Sequence, residues 1–194
     1  MVTASERGRE VRRKLLNAAL ELVPELGWNA VSTRALAERA GVAPGLVHYH
    51  FSSLQAVLRE AAVGEMRRTL GAAIPEFERA GTPADGIGMM LESLDAYSGD
   101  DPASLMFTEA YLVSARDEEL RGELAGLLAE FRDGLARWLG EHGQGSPVET
   151  ASVLAAAVDG VLLHRPLNPA LTSSAVAPVL RRILGPDIEG EEHR

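Results

Sequence analysis

Residues 31–51, Val-Ser-Thr-Arg-Ala-Leu-Ala-Glu-Arg-Ala-Gly-Val-Ala-Pro-Gly-Leu-Val-His-Tyr-His-Phe, carry the reading on which the fold of this chain turns. They read as two short helices joined by a tight turn. Ser32 stands where an N-cap belongs, because its hydroxyl can accept from an unpaired backbone N–H of the first helical turn. Leu36, Ala37 and Ala40 then fall on one face at helical spacing. Gly41 follows where the chain must reverse, and glycine takes the left-handed conformation there without steric cost. Val42 is expected to pack down between the helices. Pro44 opens the second helix at its first position, where a missing N–H does no harm. A helix, a short glycine-containing turn and a second helix make a helix-turn-helix, whose second helix enters the DNA major groove.

The segment resembles the DNA-binding part of TetR-family transcriptional regulators. The likeness rests on Leu36-Ala37, Ala40-Gly41-Val42, Gly45 and the closing Tyr49-His50-Phe51. It extends upstream, since residues 11–26 are similar to the family's first helix. There Val11, Leu15, Ala18, Ala19, Leu22 and Leu26 make an apolar stripe that Gly27 ends. The chain also departs from the family. His48 stands where a tyrosine is usual, and Tyr49 where the family has an aromatic or polar residue. Ala43 replaces a common capping serine. Leu54 replaces a common lysine that meets a phosphate, leaving Ser52, Ser53 and the N-terminus of the fourth helix to attract the anion.

The chain has 194 residues and 46% apolar content, ample for a core. Cysteine is absent, so disulfides and thiolate metal sites are excluded, as suits a reducing cytoplasm. The first ten residues are polar and no apolar run reads as long as a membrane span, so a cytoplasmic protein with no membrane partner is expected. The net charge of −9 looks adverse for DNA binding. It is unevenly spread. Residues 1–60 hold eight Lys/Arg against six acids, and the rest hold eleven Arg against twenty-two acids. Positive charge thus sits with the helix-turn-helix.

Everything after residue 52 reads as helix. A fourth helix is expected from about Ser53 toward Gly71. Thr82-Pro83-Ala84-Asp85 opens the next, with a cap, a first-position proline and an acid at the third. Asp101-Pro102 opens another. A long helix from about Asp117 to Glu141 carries Leu120, Leu124, Leu127, Leu128, Phe131, Leu135, Trp138 and Leu139 at helical period. Ser146-Pro147-Val148-Glu149 reads as a capping box. The helix it opens is apolar nearly all round, through Val153, Leu154, Ala155, Ala156, Ala157, Val158, Val161, Leu162 and Leu163, and should be buried on both sides. A last helix with Val176, Val179, Leu180, Ile183 and Leu184 stops at Gly185-Pro186, and Pro178 limits its start or bends it.

The expectation is an all-α protein of about nine helices. Residues 1–52 form a three-helix DNA-binding domain, residues 53–186 a helical regulatory and dimerisation domain, and residues 187–194 a loose acidic tail. No internal repeat is found. Motifs for nucleophilic, zinc or phosphate-loop chemistry are missing, and acid pairs such as Asp100-Asp101 and Glu118-Glu119 serve helix starts, so no catalytic residue, metal or cofactor is assigned.

What the resemblance implies is a ligand-responsive regulator, most naturally a repressor, that binds a palindromic operator in double-stranded DNA as a homodimer and releases it on binding a small-molecule effector. A regulator whose C-terminal domain binds a protein and no small molecule is the alternative. The DNA-contacting candidates are Ser32, Thr33, Arg34, Pro44, Gly45, Leu46, His48, Tyr49 and His50, with Val47 and Phe51 assigned to the core. Arg7, Arg9, Arg12, Arg13 and Lys14 could form an arm along the DNA or a solvated helix face. The dimer candidates are Val153, Leu154, Ala157, Val161, Leu162, Val179, Leu180 and Ile183. The effector candidates are Met89, Met90 and Leu94, then Met106, Phe107 and Tyr111, then Leu128, Phe131, Leu135 and Trp138, set against a plain core role for each. Glu92, Asp95, Glu109 and Glu130 would favour a cationic effector if they faced inward.

Overall fold

Ser32 caps as the sequence predicts: its Oγ accepts from the N–H of Ala35 at 3.1 Å and starts a helix. The computed structural model describes residues 3–184. The described residues hold nine α-helices, three short 3-10 turns and no strand. The helices are α1 (Ala4–Leu26), α2 (Thr33–Ala40), α3 (Gly45–His50), α4 (Leu54–Arg79), α5 (Pro83–Ser93), α6 (Pro102–Ser114), α7 (Glu118–Glu141), α8 (Pro147–His164) and α9 (Ser173–Arg181). They form two compact units that do not follow a boundary at residue 52. The first unit is residues 1–67 with 101–124, and the second is 68–100 with 125–194. α4 and α7 each contribute to both.

In the first unit, α1 packs against α2, α3 and α6. Its core holds Leu15, Ala18, Leu22, Trp28, Leu36, Val47, Leu58 and Met106, all buried. Trp28, in the 3-10 turn after α1, joins several elements. Its N–H donates to Glu109 of α6 at 2.9 Å, and its indole Nε1 donates to Gln55 of α4 at 2.7 Å. Arg59 of α4, largely buried, pairs with Asp117 at 3.5 Å and Glu119 at 2.6 Å.

In the second unit, Phe77, Ile87, Leu91, Phe131, Leu135, Trp138, Leu139, Leu154 and Leu180 form one buried cluster. Gly86 lets α5 approach α7 closely, since a Cβ there would lie 2.5 Å from the Trp138 ring. Arg165, at the end of α8, is buried and its donors are well used. It bonds the carbonyls of Leu94 (2.6 Å), Tyr97 (2.7 Å) and Leu171 (3.0 Å), and Asp95 at 3.2 Å. Asp95 in turn accepts from the Ser173 N–H (3.1 Å) and hydroxyl (2.5 Å) at the start of α9.

Several expectations are corrected. α1 begins at Ala4, not near Val11, because Thr3 and Glu6 form a capping box at its N-terminus. Arg7, Arg9, Arg12, Arg13 and Lys14 are therefore helical residues and not a free arm. α4 continues past Gly71 and through Pro75 to Arg79. Leu70, Ala73, Ile74 and Phe77 pack into the second unit's core there, and that packing outweighs poor local propensity. Ser146 makes no side-chain cap, so the box predicted there is absent; its ψ of 66° lies far from the 156–161° of the caps Thr82, Asp101 and Thr172.

Within the single chain, α8 is buried on one side only. Only Thr150, Ala151 and Leu154 are buried, while Val148, Val153 and Leu163 are 62%, 51% and 58% exposed. Its 18 residues are also long and apolar enough, by length and composition alone, to cross a membrane, contrary to the sequence expectation. Glu149 and Asp159 on the same helix weigh against that role. Pro178 lies inside α9, which begins at Ser173, so it does not set the start of that helix. The stop at Gly185-Pro186 and the acidic tail lie outside the described residues.

Candidate functional site

The turn between α2 and α3 has the geometry its residues predict. Gly41 adopts the left-handed conformation (φ 65°, ψ 38°), and the Val42 N–H returns to the carbonyl of Ala37 at 3.0 Å. This pair of features ends α2 by a Schellman motif. Pro44 has helical dihedrals, and the N–H groups of Leu46 and Val47 bond the carbonyls of Ala43 and Pro44. Ala43 offers no side-chain cap, and none is present on α3.

Val47 and Phe51 are buried and anchor α3. The opposite side is open to solvent: Pro44, Gly45, His48 and Tyr49 are exposed, Tyr49 at 80%, and Leu46 and His50 are half-buried. Tyr49 meets the His50 ring edge-on, centroids 5.0 Å apart. At the start of α2, Ser32 and Arg34 are exposed and Thr33 is half-buried. Among the described residues Arg34 has no ion-pair partner, so its charge is free for an anion. Arg39 differs, being tied to Glu25 at 2.7 Å and Glu21 at 3.1 Å. That hydrogen bonding raises the Arg39 pKa and lowers that of Glu25. Leu54 is half-buried, and Ser53 is spent on the Ala56 N–H as the cap of α4.

Arg12 has a role that sequence reading missed. It donates to the carbonyl of His50 at 3.0 Å, pairs with Glu60, and lies over the Phe51 ring at 4.2 Å. It thereby ties α1 to the end of α3. Trp28 and Arg165 were also missed, since neither belongs to a periodic stripe.

The second unit contains a cavity of about 230 Å³. Met90, Leu94, Leu128 and Phe131, four of the ten candidates, line it. Ala155 and Val158, from the apolar circumference of α8, line it too, as do Arg68, Thr69, Ala73, Ser93, Tyr97 and Asp159, which no sequence pattern marks. Met89 packs on the core, and Leu135 and Trp138 are buried within it. Met106, Phe107 and Tyr111 lie on α6, in the first unit. Of the dimer candidates, Val153, Val179 and Ile183 are exposed, and Ala157, Val161 and Leu162 are half-buried. Leu154 and Leu180 are buried in the second unit's own core, which leaves them little surface for a partner.

Residues 81–186 match the family described as "Tetracyclin repressor-like, C-terminal domain", and residues 15–61 match "Bacterial regulatory proteins, tetR family". The chain belongs to the TetR family. It is a DNA-binding transcriptional regulator and not an enzyme. Among TetR-family relatives, it is 28% identical to the HTH-type transcriptional regulator BetI of Rhizobium meliloti, over 82% of this chain and 80% of that one. It is 33% identical to the HTH-type transcriptional repressor KstR of Mycolicibacterium smegmatis, over 55% of this chain and 50% of that one. A transcriptional regulator of Streptomyces coelicolor A3(2), SCO7518, is similar in fold, with a TM-score of 0.74 and 26% identity over 91% of this chain and 99% of that one.

Proposed function

We propose that this TetR-family chain is a repressor that binds a palindromic operator as a homodimer and lets it go when a small molecule fills the cavity of the second unit. The observation that carries the reading is α3: anchored by Val47 and Phe51, it turns Gly45, His48 and Tyr49 to solvent, while Arg34 at the start of α2 is exposed with no ion-pair partner among the described residues. Pro44, Gly45, Leu46, His48 and Tyr49 face the groove, and Ser32, Thr33, Arg34 and His50 meet phosphates. Such an operator places the protein's work in the cytoplasm. Dimerisation uses the exposed apolar residues of α8 and α9, because a two-fold pair of recognition helices matches a palindrome.

The cavity supports an effector site, being mostly apolar with a few polar groups. α4 runs from the DNA-binding unit into the cavity wall and is the element through which occupancy reaches α3. A ligand acts only through its difference in affinity for the free and DNA-bound forms; a hundredfold difference is about 2.7 kcal/mol. Selection of bound sequences from random DNA, followed by operator release with cavity binders, tests the reading. Enriched palindromes and release support it. Cavity binders that leave operator affinity unchanged defeat the ligand-released mechanism.

A further inference from the structure

We infer that the protein takes up a proton at His48 when it binds operator, so that operator affinity rises as pH falls. This rests on the reading of α3 as the recognition helix. Residues 40–58, which span the turn, α3 and the start of α4, hold no Lys, Arg, Asp or Glu. His48 and His50 are the side chains of this stretch that can become positive, and histidine changes charge between about pH 5 and 8. The fixed cations nearby do not make up the lack. Arg12 is paired with Glu60, Arg13 and Lys14 with Glu10, Arg39 with Glu21 and Glu25, and Arg59 with Asp117 and Glu119. Of the cations in residues 1–60, only Arg7, Arg9 and Arg34 have no ion pair among the described residues. Affinity for a duplex comes largely from positive charge set against phosphates, so one more cation per half-site counts.

The two histidines are not equivalent. His50 is half-buried and its ring meets Tyr49 edge-on. A Cβ on Gly8 of α1, which Arg7 and Arg9 flank, would lie 3.6 Å from the His50 Cε1. The His50 carbonyl accepts from Arg12. His48 is exposed and makes no hydrogen bond or ion pair among the described residues. The acids around α3 leave it alone. Glu10, Glu21, Glu25 and Glu60 are held by arginines, Glu6 accepts from the Thr3 N–H, and Glu38 of α2 makes no pair with His48. Facing a duplex, the ring meets negative potential, which favours imidazolium over the neutral form. Imidazolium donates from both nitrogens, and the duplex presents acceptors on phosphates and on the guanine edge. The complex then holds more protons than the separated partners, so a lower pH drives binding.

Fluorescence anisotropy of the full chain on its selected operator, at fixed salt between about pH 8 and pH 6, tests this. Affinity should rise at least about tenfold over that range, with both half-sites contributing. His48→Gln should flatten the rise to under about twofold, and His50→Gln should keep most of it. His48→Arg, a fixed cation, should reach near pH 8 the affinity that the wild type reaches only near pH 6. Circular dichroism over the same range checks that each variant is folded. Affinity independent of pH, a rise that survives His48→Gln, or a rise lost only in His50→Gln overturns the inference and leaves α3 as the recognition helix. If no DNA sequence is selected at either pH, the reading of α3 fails and the inference falls with it.

Discussion

Arg12 donates to the last carbonyl of α3, pairs with Glu60 and covers the Phe51 ring, so three contacts converge on one guanidinium. Its side chain is 40% exposed, which discounts the ion pair and leaves the positioning of α3 as its main effect. Arg12→Ala should destabilise the fold by about 1 kcal/mol and weaken operator binding, with the salt slope of affinity unchanged because no phosphate contact is lost. Arg12→Lys should not restore affinity, since a point charge cannot hold the carbonyl and the carboxylate with one planar fork. A shallower salt slope for Arg12→Ala, measured by anisotropy, would instead make Arg12 a DNA contact. Tyr49 is the contrasting case. It is 80% exposed and carries little packing. Tyr49→Ala should weaken operator binding roughly tenfold while moving stability by less than about 0.5 kcal/mol. Equal affinity at physiological salt removes Tyr49 from the interface.

At the scale of elements, the end of α8 is held by Arg165 to the turn after α5 and to the loop before α9. Asp95 completes the clasp. Hydrogen bonding from the Ser173 hydroxyl first, then its N–H and the Arg165 charge, lowers the Asp95 pKa. The sign follows: a carboxyl with a depressed folded pKa adds stability above its unfolded pKa of about 3.9, and that contribution disappears as pH falls through the lower folded value. Melting temperature should therefore drop below about pH 4 in the wild type, and Asp95→Asn should show less of that drop while being less stable at pH 7. Identical acid profiles for the two proteins would contradict this role. Gly99 belongs to the same region. Its φ is 89°, and a Cβ there would lie 2.5 Å from the Leu162 carbonyl oxygen and from Pro166 Cδ. Gly99→Ala should cost about 2 kcal/mol or more by denaturant unfolding.

For the whole molecule, the unresolved demand is the apolar surface of α8 and α9. Val153 and Val179 are 51% and 55% exposed, and Ile183, in the 3-10 turn after α9, is 40% exposed. Val153→Glu combined with Val179→Glu should convert a dimer to a folded monomer at micromolar concentration, read by light scattering with circular dichroism. Operator affinity should fall with it, because each monomer reads one half-site. A monomeric wild type, or a dimer untouched by both charges, removes these helices from the interface.

The local features of the fold were legible in the sequence by itself. Ser32, Thr82, Asp101 and Asp117 cap their helices, Gly41 turns left-handed, and Pro83, Pro102 and Pro147 open helices. Each depends on a few adjacent residues, so short-range rules suffice. Helix lengths were less legible. α4 runs through Gly71 and Pro75 because distant core residues hold it, and no local signal reports that gain. The burial of Val47 and the exposure of Tyr49 followed from the motif, but the clasp of Arg12 joins residues 38 apart and 48 apart. Apolar side chains on a periodic stripe look alike in sequence. Only tertiary structure sends Leu135 and Trp138 into the core, Leu128 and Phe131 to a cavity wall, and Val153 to solvent. Periodicity marks which face of a helix is apolar, whereas what that face meets depends on every other element packed against it.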